Sequence, residues 1–183
     1  MSAGDLQSLV RTLQSAYSGE LAAAYAYRGH WRSVRDARER EQIHVIENEE
    51  WHHRQLVGGM LHDLGAEPRQ LRETIFWMIG QTLGRLCRVS GWFLPMYGAG
   101  RLERRNFVEY EDAAAFAVGC GREDLVDCLL TMAEVEWEHE QYFRSKVTGH
   151  PMLRLLKIWE PAPPKESIRA RYKQPMEPMG RTA

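Results

Sequence analysis

Residues 46–56 read IENEEWHHRQL and residues 133–143 read AEVEWEHEQYF, two stretches that each carry Glu-x-x-His inside an apolar helical stripe. Glu50 and His53 share the stripe of Ile43, Ile46, Val57 and Met60, and Glu136 and His139 share that of Leu129, Met132 and Phe143. Residues three apart lie on one helix face, so a carboxylate oxygen and an imidazole nitrogen of such a pair reach the same ion. A charge turned toward a core is costly unless an opposite charge meets it. These four residues therefore read as ligands of cations. Two further Glu-x-x-His pairs on the second helix fall out of phase. Glu41 and His44 stand nine residues before Glu50 and His53, about half a turn away, and Glu49 and His52 lie about 100° off the stripe, so both pairs read as solvated surface.

Working outward, the rest of the chain is helical in pattern. Over residues 5–34, Leu6, Leu9, Leu13, Ala16, Tyr17, Ala23, Ala24, Tyr27 and Trp31 recur at spacings of three and four, the period of an amphipathic helix. A charged turn, RDARER, leads to the second helix, which Gly65 and Pro68 end. A third helix runs to about Val118, Gly119 to Gly121 turn the chain, and a fourth carries Leu125, Cys128, Leu129, Met132, Val135, Phe143 and Val147 up to Gly149. Composition agrees: Val, Ile and Thr number only 10, 6 and 6 among 183 residues, against the needs of a sheet protein. No proline precedes Pro68, and proline costs about 3 kcal/mol or more inside a helix. The expected fold is all-α: a four-helix bundle over residues 1–149, built from two antiparallel hairpins joined by a long hydrophobic helical crossover at 71–100.

Register tests whether the ligands meet. Glu20 lies on the apolar face of the first helix; it and Glu50 are 30 residues apart with their midpoint at Arg35, in the turn. An antiparallel hairpin thus sets both at one height, about 22 Å from the turn. In the second hairpin Glu136 lies 16 residues past Cys120, and Glu103 lies 17 before it. Glu109 is the alternative on that helix, closer to the turn and on a face shared with Arg105, Asp112 and Ala113. The favoured set is Glu20, Glu50, His53, Glu103, Glu136 and His139, with Glu50 and Glu136 bridging two ions and Glu20 and Glu103 capping them. Oxygen and imidazole donors suit iron or manganese, and no thiolate is placed to favour zinc. Tyr27 and Tyr110 share faces with ligands and are candidates to hydrogen-bond them, though core packing is the commoner role of such aromatics.

Between the hairpins, residues 74–100 contain only two charges, Arg85 and Arg88, amid Trp77, Trp92, Phe93 and many aliphatic residues. The uncharged runs on either side are 11 and 12 residues long, too short to span a bilayer, which takes about 20. The segment reads either as buried core or as an interfacial element with its aromatic rings in lipid and its arginines at headgroups. Residues 150–183 are Pro-rich and polar, and read as an extended tail suited to holding a partner protein or a second copy of the chain. A formal net charge of −1 gives no global basic field for nucleic acid, despite the local runs RLERR and IRARYK. Three cysteines and no signal-peptide pattern suggest a reducing, cytoplasmic setting, with membrane association through the apolar segment.

These motifs resemble the ferritin-like di-iron carboxylate superfamily over about residues 5–148, and within it the demethoxyubiquinone hydroxylases of ubiquinone biosynthesis. YSGELAAAYAYRG around Glu20 resembles that family's first-helix motif, and IENEEWHHRQL and AEVEWEHEQYF resemble its two Glu-x-x-His helices. FVEYEDAA resembles the family's third-helix Val-Glu pair, which would select Glu109, whereas spacing selects Glu103. The resemblance implies a monooxygenase that activates dioxygen at two iron ions and hydroxylates a hydrophobic, quinone-like ring, with residues 74–100 at the membrane and the quinone pocket. Two other functions fit the same ligands: a ferroxidase or peroxide scavenger acting on iron or peroxide alone, and a non-enzymatic assembly subunit with structural metals.

Overall fold

The computed structural model describes residues 2–173, and among them there is no strand. Five long helices and one short one form in order: α1 (Ala3–Ser33), α2 (Ala37–Asp63), α3 (Gln70–Leu86), α4 (Phe93–Gly119), α5 (Val126–Val147) and α6 (Glu166–Lys173). The four helices expected from the ligand pattern are α1, α2, α4 and α5. Two of the starts have a local cause. The Ser2 side chain accepts from the Asp5 amide, and Asp36 accepts from the amides of Arg38 and Glu39, so two helix N-termini are capped by the residues that favour that position. Gly65, at φ +65°, takes the left-handed conformation that ends α2.

α1 and α2 form one hairpin through the turn at 34–36, α4 and α5 the other, and α1 also packs on α4. The core lies between them in two clusters. One, toward the N-terminus of α1, gathers Leu9, Leu13, Val57, Leu61, Phe107 and Leu129; the other gathers Tyr27, Ile43, Ile46, Met96, Phe143 and Val147. The six expected ligands sit between these clusters.

Residues 71–100 are more than a connection. α3 lies against α1 so closely that a Cβ at Gly29 would overlap the Gly84 carbonyl, and one at Gly80 would stand 2.6 Å from the Ala22 carbonyl oxygen. The glycines there serve backbone contact rather than breaking the helix. The opposite face of α3 is apolar and outward: Ile75, Trp77, Met78, Ile79, Leu83 and Leu86 are all exposed, as are Arg85 and Arg88. Among the described residues no helix is long and apolar enough to cross a membrane. Phe93, expected on the lipid or substrate side, belongs instead to the core. It is buried and stacked at 4.4 Å on His150 and 5.6 Å on Tyr97, because α4 begins there and turns its first ring inward. Trp92 stays exposed and donates to Glu39 at 2.8 Å.

The first part of the expected tail packs on the bundle. From Pro151 the chain makes a short 3-10 turn, runs extended, and returns as α6 along α5. Trp159 lies over Gly100 and donates to Glu140 at 2.6 Å, while Ile168 is fully buried in the first core cluster. Residues 174–183 of the predicted tail lie outside the described residues.

Candidate metal centre

The four bundle helices turn Glu20, Glu50, His53, Glu103, Glu136 and His139 into one interior cluster, each at most 3% exposed. Their donor atoms form two groups, Glu20–Glu50–His53–Glu136 and Glu50–Glu103–Glu136–His139, with the atoms of each group within 4.8 Å of one another. Glu50 and Glu136 belong to both groups. Each group adds one outer carboxylate and one imidazole, so the arrangement is a pair of four-donor sites sharing two carboxylates. Glu103 is fully buried and in the cluster, whereas Glu109 is half-buried on the next part of the face, lining a narrow crevice with Gly19, Glu20 and Asn106.

The two tyrosines hold the outer carboxylates reciprocally. Tyr27 of α1 donates to Glu103 of α4, and Tyr110 of α4 donates to Glu20 of α1. Asn106 adds a hydrogen bond to the second Glu103 oxygen at 3.2 Å. Such partners orient ligands and limit their rotation. His53 Nδ1 is 2.9 Å from Glu136, and His139 Nδ1 is 3.5 Å from Glu50. Sequence reasoning missed one member: Glu49, read as surface, is 41% exposed yet meets His139 Nε2 at 2.7 Å. Its 100° offset puts it on the flank of α2 that faces α5, a position that depends on how the second hairpin docks.

Buried carboxylates elsewhere in the molecule provide a comparison for this cluster. Glu47 is buried, but Arg28 donates to one oxygen at 2.7 Å and Trp31 to the other at 2.6 Å. Glu140 is buried, and Arg144, Trp159 and Gln141 all donate to it. In the cluster, by contrast, both Glu50 oxygens, Glu20 Oε2, Glu136 Oε2 and His139 Nδ1 are buried without any hydrogen-bond partner. Native interiors rarely leave buried polar atoms unpaired. Five such atoms converging from three helices fit metal ions, and these buried Glu and His groups could hold them.

Charge distribution in the cluster agrees. Burial, followed by repulsion from neighbouring carboxylates, raises the pKa values of Glu20, Glu50 and Glu103 well above the ordinary range. Glu136 goes the other way: burial opposes its charge, but hydrogen bonds from Glu103 and His53 hold it down to about 2. Burial alone would lower the His53 pKa, but the bond to Glu136 and the charges of Glu136 and Glu20 together outweigh it and raise the imidazole. The cluster therefore keeps protons where no cation balances it, and a divalent cation would replace them.

A second feature adjoins the cluster. α1, α3 and α4 enclose a cavity of about 370 Å³, lined by Tyr27, Leu83, Leu86, Leu94, Ala99 and Leu102 among others, and almost wholly apolar. Tyr27 connects the two, since its ring lines the cavity and its hydroxyl holds Glu103. Comparison with protein-family models, with curated proteins and with solved structures gave no match to this chain.

Proposed function

We propose that the protein is an oxidoreductase that activates dioxygen at two iron ions and hydroxylates a hydrophobic, quinone-like molecule, a function in keeping with the resemblance to ferritin-like di-iron hydroxylases. The observation that carries the reading is the shared pair Glu50 and Glu136, which belong to both four-donor groups and carry three buried oxygens without hydrogen-bond partners. Two ions so bound would supply the electrons and the oxygen-binding positions of the reaction. The protein's part is positional. Tyr110 and Tyr27 fix the outer carboxylates Glu20 and Glu103, and Glu49 fixes the His139 ring. The core clusters on either side exclude water from the centre.

Substrate would bind in the apolar cavity behind Tyr27, which favours a hydroxylase over a ferroxidase or a peroxide scavenger, neither of which needs an apolar chamber beside its metals. The outward face of α3 with Trp77 and Arg85, and the turn after it with Arg88 and Trp92, are exposed and support peripheral contact with a lipid surface from which such a substrate is drawn. The test is to purify the protein with its own metal and supply a reductant, dioxygen and an apolar phenol. About two irons per chain and an oxygenated product are expected. Zinc or no metal at the centre, or oxygen consumption that no organic molecule stimulates, would refute the hydroxylase.

A further inference from the structure

The two halves of the ligand cluster are not alike. Their motifs align residue for residue: Glu50, Trp51 and His53 of α2 match Glu136, Trp137 and His139 of α5, and in that alignment Glu49 is matched by Val135. Glu49 reaches across to His139 and holds its Nε2 at 2.7 Å, with Nδ1 left facing the cluster. Val135 has no polar atom to offer His53. That ring also has Nδ1 in the cluster, 2.9 Å from Glu136, but its Nε2 has no hydrogen-bond partner among the described residues. The outer carboxylates differ in the same direction. Both oxygens of Glu103 are held, one by Tyr27 and the other by Asn106, whereas Glu20 is held by Tyr110 alone and its Oε2 has no partner.

We propose that the centre takes one resident and one exchangeable divalent cation: the position built by Glu50, Glu103, Glu136 and His139 fills first and tightly, and the position built by Glu20, Glu50, His53 and Glu136 takes the second ion. This deepens the metal-binding part of the proposed function and rests on that part alone, not on hydroxylation. Partners behind a ligand fix its orientation and, for an imidazole, its tautomer and basicity, and losing one typically costs 10- to 100-fold in affinity. Glu49, Tyr27 and Asn106 serve the Glu103 half, and only Tyr110 serves the other. An ionised carboxylate has about four lone-pair positions, so Glu103 keeps room for an ion while both its oxygens are held in a fixed pose. Access differs as well. Glu20 borders the narrow crevice walled by half-buried Gly19, Asn106 and Glu109, which gives the second ion an approach from the surface. Glu103 does not line that crevice; Asn106, which does, is hydrogen-bonded to it. A loosely held position also admits a metal different from its neighbour, since oxygen and imidazole donors accept several divalent ions.

The experiment titrates cobalt(II) into the metal-free full-length protein, followed by calorimetry and by the visible absorption of the bound ion. Repulsion between two ions would separate two binding steps even at equal positions, so variants that keep one position decide. Glu20→Gln should bind one ion as tightly as the first step of the wild type, and Glu103→Gln should bind one ion at least about tenfold more weakly. Equal affinities in the two variants, or the tighter ion in Glu103→Gln, overturn the proposal. Glu49→Ala should weaken the single ion of Glu20→Gln at least about tenfold and leave that of Glu103→Gln unchanged, a difference that general loss of structure would not produce. Glu49→Gln, whose amide oxygen still accepts from His139 Nε2, should restore most of the loss; equal weakening in both backgrounds overturns the positioning role of Glu49. In the unaltered protein loaded with cobalt, a chelator should remove one ion at least about tenfold faster than the other, and loss of both in one phase overturns the exchangeable position. None of these readouts needs turnover. Unequal positions in a protein that consumes no dioxygen would leave this proposal standing and remove the hydroxylase reading. Equal positions in a dioxygen-consuming protein would remove this proposal alone.

Discussion

His139 hydrogen-bonds through Nε2 to Glu49 at 2.7 Å, which leaves Nδ1 as the ring nitrogen facing the buried Glu50, 3.5 Å away. A carboxylate accepts, so the proton of the neutral ring sits on Nε2 and the lone pair on Nδ1. Glu49 thereby selects the tautomer able to bind a cation. Removing such an outer partner typically costs 10- to 100-fold in metal affinity. Glu49→Ala should weaken binding of ferrous or manganous ion at least about tenfold while the helix content stays unchanged, measured by competition with a chelator and by circular dichroism.

The two carboxylates of α4 that sequence patterns bring into competition should separate cleanly. Glu103→Gln removes a donor from one of the two groups and should lower metal content from about two ions per chain to about one. Glu109→Gln, outside both groups, should leave about two. Metal analysis of the purified variants decides; the reverse pattern would reassign the helix.

Proton binding gives a stability signature. The folded-state pKa values of Glu20, Glu50, Glu103 and His53 are raised, so the folded metal-free protein holds more protons than the unfolded chain, and stability falls as pH rises. His30 has the opposite sign: its pKa is lowered from 6.5 to about 4, so its contribution is complete above 6.5 and is lost as pH falls toward 4. The clean window therefore starts at about pH 6.5 and runs upward. Thermal unfolding with a chelator present should show a falling Tm across that window. With saturating metal the trend should flatten or reverse, because cations displace the same protons.

The segment after α5 should behave as part of the folded domain. Trp159→Ala removes the ring that covers Gly100 and a donor to buried Glu140, and should cost about 2 kcal/mol in denaturant unfolding. Gly100→Ala should also destabilise, because its Cβ would overlap the Trp159 ring.

Much of this was legible in the residues themselves. Helical phase and hairpin register place Glu20, Glu50, His53, Glu103, Glu136 and His139 at one height, since a rigid rise per residue converts sequence spacing into distance. What escaped depends on contacts between elements. Gly80 and Gly84 look like interruptions in an apolar run until α1 lies against them. Ile168 is a single aliphatic residue in a polar stretch, with no period to announce that it fills the first core cluster. Glu49 and His30 became visible only when neighbouring helices supplied, or failed to supply, their hydrogen-bond partners.

The contact between Gly29 and Gly84 has a consequence for redesign. Where two helices touch backbone to backbone, no change of rotamer can widen or narrow the gap between them. Two of the three walls of the adjoining cavity are thus fixed in separation, and its size can be retuned by side chains on the third, at Leu94, Gly98 and Leu102 of α4. A library confined to those three positions would change what fits the cavity without touching any residue that holds Glu103 or Glu20.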